Sequence, residues 1–153
     1  MTSAPWVVAV AMSASAIAGY HVVEPDGAAF ALQPSGSSGA FRLCAGRSQP
    51  NCVVDGDTIW HGGVKIRIAD IDTPEVFSPK CASEAALGRQ ATERLLELIN
   101  AGPFEVMPSG SRDADRYGRK LRILERHGHS IGETLIAEGL ARPWDGARRS
   151  WCG

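Results

Sequence analysis

Apolar and polar residues alternate in short runs near the middle of the chain, and this pattern predicts three β-strands. Val53-Val54 and Thr58–Trp60 flank the turn sequence Asp55-Gly-Asp57, and Asp-Gly is a strong hairpin signal. A second glycine-containing turn leads into Val64–Ile68, where apolar residues alternate with Lys65 and Arg67. Because side chains alternate between the two faces of a strand, Arg67 is expected on the polar face.

The second half of the chain has helical periodicity in two places. Ser83–Asn100 carries leucine and alanine at spacings of three and four, with a glycine stop close behind, and so predicts a helix. Ser130–Glu133 has the sequence of a capping box and predicts a second helix that ends at Gly139. Phe104–Met107 and Leu121–Leu124 are typical of strands.

The order of strands, helix, strands and helix favours a small closed β-barrel with helices packed outside it. Barrels of this kind commonly bind oligonucleotides across one face and the adjoining loops. Periodicity alone does not distinguish such a barrel from another α+β domain.

The N-terminal part of the chain has a different composition from the rest. No charged side chain occurs before Glu24, so residues 1–23 are interpreted as a signal peptide or, alternatively, as a membrane anchor formed by residues 4–23. Residues 24–40 are rich in Gly, Ser, Ala and Pro and are interpreted as a flexible linker. The folded domain is expected to cover residues 41–153. These features predict an exported protein, secreted or periplasmic, with membrane attachment as the alternative.

The net charge and the cysteines bear on which ligands the protein binds and in which compartment it folds. The formal net charge of the 153-residue chain is -1, which does not indicate a strongly basic nucleic-acid binder. Arg112–Arg126 is locally basic and is either a binding patch or a solvated hairpin. The four cysteines lack the C-x-x-C spacing of a zinc site, and their even number favours disulfides and an oxidising compartment, with free thiols as the alternative.

Three polar clusters carry candidate chemistry: Asp55-Gly-Asp-Thr58, Arg67-Ile-Ala-Asp-Ile-Asp-Thr-Pro-Glu75 and Asp115-Arg-Tyr-Gly-Arg119. Each alone is also typical of a turn, a strand end or a charged loop. Together and in this order they resemble the staphylococcal nuclease (thermonuclease) family, over roughly residues 52–144. The resemblance implies an α+β, mainly β fold, a five-stranded OB-fold barrel with two packed helices. It also implies hydrolysis of DNA and RNA.

The resemblance further implies a calcium site. Asp57 and Asp72 correspond to the ligand carboxylates, Thr73 contributes its backbone carbonyl, and Asp55 lies behind them. Calcium prefers hard oxygen ligands with loose geometry, which this set provides. The clusters contain no Cys or His, which argues against zinc or copper.

The remaining residues of the resemblance concern the substrate. By position, Arg67 and Arg119 bind the scissile phosphate, Glu75 acts on the attacking water, Tyr117 lies beside the nucleotide and Asp115 supports the site. Arginine forks match phosphate oxygens in bidentate fashion, which suits these assignments. The substrate is expected to be single-stranded DNA or RNA, and a monomer without a dedicated protein partner is expected.

The sequence leaves three further points: the pairing of the cysteines, the role of Trp144 and the alternatives to an enzyme. Of the three possible pairings of four cysteines, we predict Cys44–Cys52, which closes a local loop, and Cys81–Cys152, which pins the C-terminus against the loop after Glu75. Trp144 is either a core residue or a stacking surface. The alternatives to an enzyme are a catalytically inactive OB-fold module that binds nucleic acid or protein, and a structural envelope protein tethered by its N-terminus.

Overall fold

The computed structural model describes residues 40–46 and 49–153. The predictions for residues 1–23, and for the linker up to residue 39, lie outside the described residues. The described part contains nine short strands and two helices arranged around one hydrophobic core.

A mixed β-sheet forms the body of the fold. Five strands of four to seven residues are its main members: β2 Cys52–Asp55, β3 Thr58–His61, β4 Val64–Ile68, β6 Glu105–Pro108 and β7 Lys120–Arg126. Four two-residue strands complete the set: β1 Arg42–Leu43, β5 Ile71–Asp72, β8 His129–Ser130 and β9 Arg142–Pro143. The main sheet has the order β1-β2-β3-β4-β7-β6, with β8 added to β7, and β5 pairs with β9 separately.

The pairing of strands brings the polar clusters of the sequence together. β3 and β4 are antiparallel, with Thr58 opposite Arg67. β4 and β7 are parallel, with Ile66 opposite Lys120, so Arg119 enters β7 beside the strand that carries Arg67. The sheet therefore places Arg67 of the second cluster, on β4, between the first and the third clusters.

Both predicted helices are present, with small differences at their ends. α1 spans Ala82–Asn100 and α2 spans Ile131–Ala137. The Ser130 hydroxyl accepts a hydrogen bond from the Gly132 N–H and donates one to Asp70, so it caps α2 and ties it to the segment before β5. The chain leaves α2 through Gly139, whose φ of 74° is a left-handed conformation that favours glycine.

The core lies between the sheet and the two helices. Its fully buried members are apolar side chains from β3, β4, β5, β7, α1 and α2: Ile59, Ile68, Ile71, Leu124, Leu95 and Leu135. This is the mainly β, α+β fold that the sequence predicts, an OB-fold with two packed helices. Among the described residues, no helix is both long and apolar enough to cross a membrane.

Two disulfides cross-link the described residues. The structure pairs Cys44 with Cys52 and Cys81 with Cys152, as predicted from the positions of the cysteines in the sequence. Such bridges are typical of proteins that fold in an oxidising compartment. The second bridge joins the residue before α1 to the C-terminal segment, 71 positions later in the chain.

Replacing Cys81 and Cys152 together by Ser should destabilise the protein more than replacing Cys44 and Cys52. On the chain-entropy model the long loop contributes roughly 4 kcal/mol and the short loop about 2.5 kcal/mol. Thermal unfolding of the two double variants measures the difference. A larger loss in the Cys44/Cys52 variant would contradict this ranking.

Candidate active site

Two buried acidic residues from different elements face the same guanidinium, that of Arg148. Asp57 lies in the turn between β2 and β3, and Asp72 ends β5; their exposures are only 2% and 3%. Gly56 packs so closely on Thr73 that a Cβ there would lie 2.9 Å from the Thr73 hydroxyl oxygen. The glycine therefore allows the two acidic segments to approach each other.

Arg67 lies on the face of β4 that the alternation of residues predicts, and its side chain is buried. It is only 6% exposed, its Nη2 lies 3.3 Å from Asp57 Oδ2, and its Nη1 donates to the Ile68 carbonyl. The Trp144 ring lies over its guanidinium at 5.4 Å. The alternation of residues correctly assigns the face, but the C-terminal segment covers it.

Arg119 is held in a fixed position by two neighbours. Its Nε donates to Asp115 Oδ2 at 2.7 Å, and its Nη1 donates to the Thr58 hydroxyl at 3.1 Å. Thr58 in turn donates to Asp57 Oδ1 at 2.8 Å. This chain of hydrogen bonds connects Arg119 with the acidic pair.

Glu75 lies in the loop between β5 and α1, and α1 fixes its backbone. A Cβ at Gly88 would lie 2.8 Å from the Pro74 carbonyl oxygen and 3.0 Å from that of Glu75. Real Cβ atoms do not approach backbone oxygens so closely, so only glycine lets the helix support this loop.

Gly88→Ala should therefore destabilise the protein, although alanine is the better helix former. The helix preference favours alanine by about 1 kcal/mol, whereas overpacking against backbone atoms costs about 1–3 kcal/mol. We expect a net loss of stability together with lower activity, because the loop carrying Glu75 must move. Gln90→Ala, at an exposed position of α1, is the matched control for thermal unfolding and turnover. A stabilised Gly88→Ala variant with full activity would show that the contact does not position Glu75.

One cavity of about 1110 Å³ unites the arginines, Glu75 and two aromatic rings. Its functional lining is Arg67, Glu75, Tyr117, Arg119, Trp144 and Arg148, with Lys65, Arg112 and Arg116 adding positive charge. Tyr117 and Trp144 are 68% and 38% exposed, so Trp144 is not a core residue. The cavity is basic although the net charge of the chain is -1.

The carboxylates of the site differ in their ionisation. Burial, followed by repulsion from Asp57, raises the pKa of Asp55 to about 6. Burial also raises the pKa of Asp72, against the opposing effect of Arg148. Burial of Asp115 acts in the same direction, but the hydrogen bonds from Arg119 and the Tyr117 N–H leave the pKa of Asp115 below its usual value. A cation near Asp55 and Asp72 would favour the charged forms of these two carboxylates.

The donor set around Asp57 and Asp72 fits a hard divalent cation. Asp57 Oδ2 and Asp72 Oδ1 are buried and accept no hydrogen bond within the described residues, although Asp57 Oδ2 lies 3.3 Å from Arg67 Nη2 and Asp72 Oδ1 lies 3.4 Å from Arg148 Nε. Buried carboxylate oxygens of this kind are ordinarily satisfied by hydrogen bonds or metal ions. Cys81, Glu84 and Cys152 also lie close together, but the two sulfurs are bonded to each other and offer no thiolate.

The structure thus places the predicted residues in two connected groups. Asp57, Asp72 and Thr73, with Asp55 beside Asp57, form the acidic group, and Arg67, Glu75, Tyr117 and Arg119 line the adjoining cavity. The C-terminal residues Arg148 and Trp151 were missed: Arg148 contacts the acidic group, and the Trp151 indole donates to Asp72 Oδ2 at 3.2 Å. The predicted Cys81–Cys152 bridge was the one sequence signal for their presence here.

This fold and this grouping of acids and arginines define the class of protein. A family model described as "Staphylococcal nuclease homologue" matches residues 65–150. The chain belongs to the staphylococcal nuclease family.

Three endonucleases of Bacillus subtilis are similar to this chain over part of their length. The chain is 40% identical over 93 residues to the SPbeta prophage-derived endonuclease YokF of Bacillus subtilis (strain 168), covering 58% of this chain and 31% of that protein. It is 38% identical over 93 residues to the endonuclease YncB of the same organism, with 58% and 44% covered. The endonuclease YhcR is 31% identical over 99 residues, with 58% and 8% covered. The chain thus spans less than half the length of these relatives.

Proposed function

We propose that this protein is a calcium-dependent nuclease that hydrolyses phosphodiester bonds in single-stranded DNA and RNA. The observation that carries the proposal is the convergence of Arg67, Arg119 and Glu75 on one cavity beside the buried pair Asp57 and Asp72. The family and the endonuclease names of the relatives support a nuclease.

In this proposal Asp57, Asp72 and the Thr73 carbonyl hold the calcium ion. The ion, when bound, polarises a phosphate oxygen and offsets the negative charge that grows on the phosphate. Asp55 accepts the Asp57 N–H at 3.1 Å and so fixes the turn that presents the Asp57 carboxylate.

The two arginines bind the scissile phosphate from the same side of the sheet. Their guanidinium groups are already oriented by Asp57, Asp115 and Thr58, so little reorganisation is needed when charge develops. Pre-oriented donors of this kind supply the largest share of the rate acceleration.

Glu75 assists the attack of water. Its carboxylate takes a proton from the water as the new P–O bond forms, and the bond to the leaving ester oxygen breaks. General-base help of this kind contributes about 10²–10⁴ in rate. The side chain is only partly exposed and lines the same cavity as both arginines.

Exposed aromatic rings support single strands as the substrate. Tyr117 and Trp144 both line the cavity, and Arg116 and Arg119 lie at 4.8 and 5.7 Å from the Tyr117 ring. Unpaired bases can stack on such rings while arginines contact the backbone, whereas paired bases are shielded within the duplex. The two disulfides further support an exported location, secreted or periplasmic.

A zymogram containing denatured DNA tests the proposal. The purified protein should clear the gel in calcium, and the Arg67→Ala/Arg119→Ala double variant should not. An intact gel under the wild-type band, with the folded protein shown to bind the DNA, would instead favour a binding module.

A further inference from the structure

The C-terminal segment, residues 144–152, is tied to the active site at both ends. At its start, the Trp144 N–H donates to the Asp70 carbonyl at 2.9 Å. At its end, the bridge from Cys152 to Cys81 fixes it beside the N-terminus of α1. The segment has no regular secondary structure, so these anchors determine its path.

Additional contacts hold the last turn of this segment close to the acidic pair. The Trp151 ring stacks on the Arg142 guanidinium at 3.7 Å, and its indole N–H reaches Asp72. Arg142 also donates to the Ser150 carbonyl at 3.0 Å. These interactions keep residue 148 above the site.

Arg148 uses this position to contact three of the acidic side chains of the site, those of Asp57, Asp72 and Glu75. Its Nη2 lies 3.7 Å from Asp57 Oδ2, its Nε lies 3.4 Å from Asp72 Oδ1, and its Nη1 pairs with Glu75 Oε1. The first two oxygens are buried and accept no hydrogen bond within the described residues; Asp57 Oδ2 also lies 3.3 Å from Arg67 Nη2, whereas the ion pair of Asp72 Oδ1 is with Arg148. The guanidinium thus faces the oxygens that a cation would need.

We propose that Arg148 is a tethered competitor for the cation site, so that its guanidinium must leave before calcium binds. The inference rests on the proposed calcium site. A guanidinium and a divalent ion cannot share the same two carboxylate oxygens, because both are cations and both need the oxygens within contact distance. The Arg148 side chain is 44% exposed and lines the cavity, so it has room to move away from the two carboxylates.

The apparent calcium affinity equals the affinity of the free site multiplied by the fraction of molecules in which the guanidinium has left the site. If Arg148 occupies the acidic pair about nine-tenths of the time, the apparent dissociation constant rises about tenfold. The Cys81–Cys152 bridge keeps Arg148 close to the acidic pair, because it prevents the C-terminal segment from moving away. Arg148 would therefore set the calcium concentration at which the enzyme becomes active.

Calorimetric titration of the full chain with calcium chloride tests this role. Arg148→Ala should bind calcium about tenfold more tightly than the wild type. Arg149→Ala is the matched control, because it removes the same charge one position away, from a side chain that pairs with the exposed Asp145. The control should bind within about twofold of the wild type, and calcium should raise the melting temperature most in Arg148→Ala.

A second variant tests the tether. Cys81→Ser/Cys152→Ser releases the segment while keeping Arg148, so its calcium affinity should also exceed that of the wild type. Equal or weaker binding by a folded Arg148→Ala variant would overturn the competitor role alone, provided the wild type binds calcium. No calcium binding by either the wild type or Arg148→Ala would overturn the calcium site and the competitor role together.

Discussion

Arg119→Lys should lower kcat by about 10²–10³ while leaving the fold intact, since pre-oriented donors at a developing charge are worth this much. Arg119 uses Nε and Nη1 for Asp115 and Thr58, and within the described residues its Nη2 makes no hydrogen bond. A lysine ammonium keeps the charge but cannot replace the fork that binds its neighbours and a phosphate oxygen at once.

Steady-state cleavage of a defined single-stranded oligonucleotide in saturating calcium measures this effect. Arg122→Lys is the matched control, because Arg122 lies three positions further along the chain, in β7, and pairs with Asp113 outside the cavity. The control should retain nearly full activity. A kcat for Arg119→Lys above about a tenth of the wild-type value would remove Arg119 from the phosphate-binding role.

Glu75→Gln should lower kcat by about 10²–10⁴, the range for loss of a general base. Glutamine has nearly the same shape, so the contacts of the loop with Gly88 persist, but its amide cannot take a proton from water. The loss should fall on kcat rather than on KM, because the side chain acts on the water and not on the substrate.

The control for this substitution is Glu93→Gln, an identical change at an exposed position of α1. Glu75→Gln also removes one partner of Arg148, so calcium must be kept saturating in every assay. If the variant turns over within tenfold of the wild type, another group accepts the proton.

Local sequence patterns were sufficient to predict most of the fold. The Asp-Gly turn, the alternation in β4 and the glycine after α2 each depend on interactions between near neighbours, and the structure contains all three elements. The two-residue strands β5 and β9 were not predicted, because pairing of Ile71 with Pro143 depends on contacts between distant segments.

The assignments of Asp57, Asp72 and Arg119 came from the family resemblance, which rests on three short motifs in the sequence. The burial of Arg67 and the approach of Arg148 were not predicted. Both depend on the path of residues 144–152, which has no periodicity and is set by a disulfide and single hydrogen bonds. Polar alternation shows which face of a strand a side chain occupies, but it does not show which segment covers that face.

The proposal of a calcium-dependent nuclease is tested most directly by a cleavage assay on a single-stranded oligonucleotide. The metal is first removed with a chelator, and a known concentration of calcium or magnesium is then added back. Activity should disappear in excess chelator and return when free calcium is restored, because Asp57 and Asp72 provide only hard oxygen ligands. Magnesium should restore far less activity, since it demands near-ideal octahedral geometry. Full activity in magnesium alone, with no gain from calcium, would contradict the account.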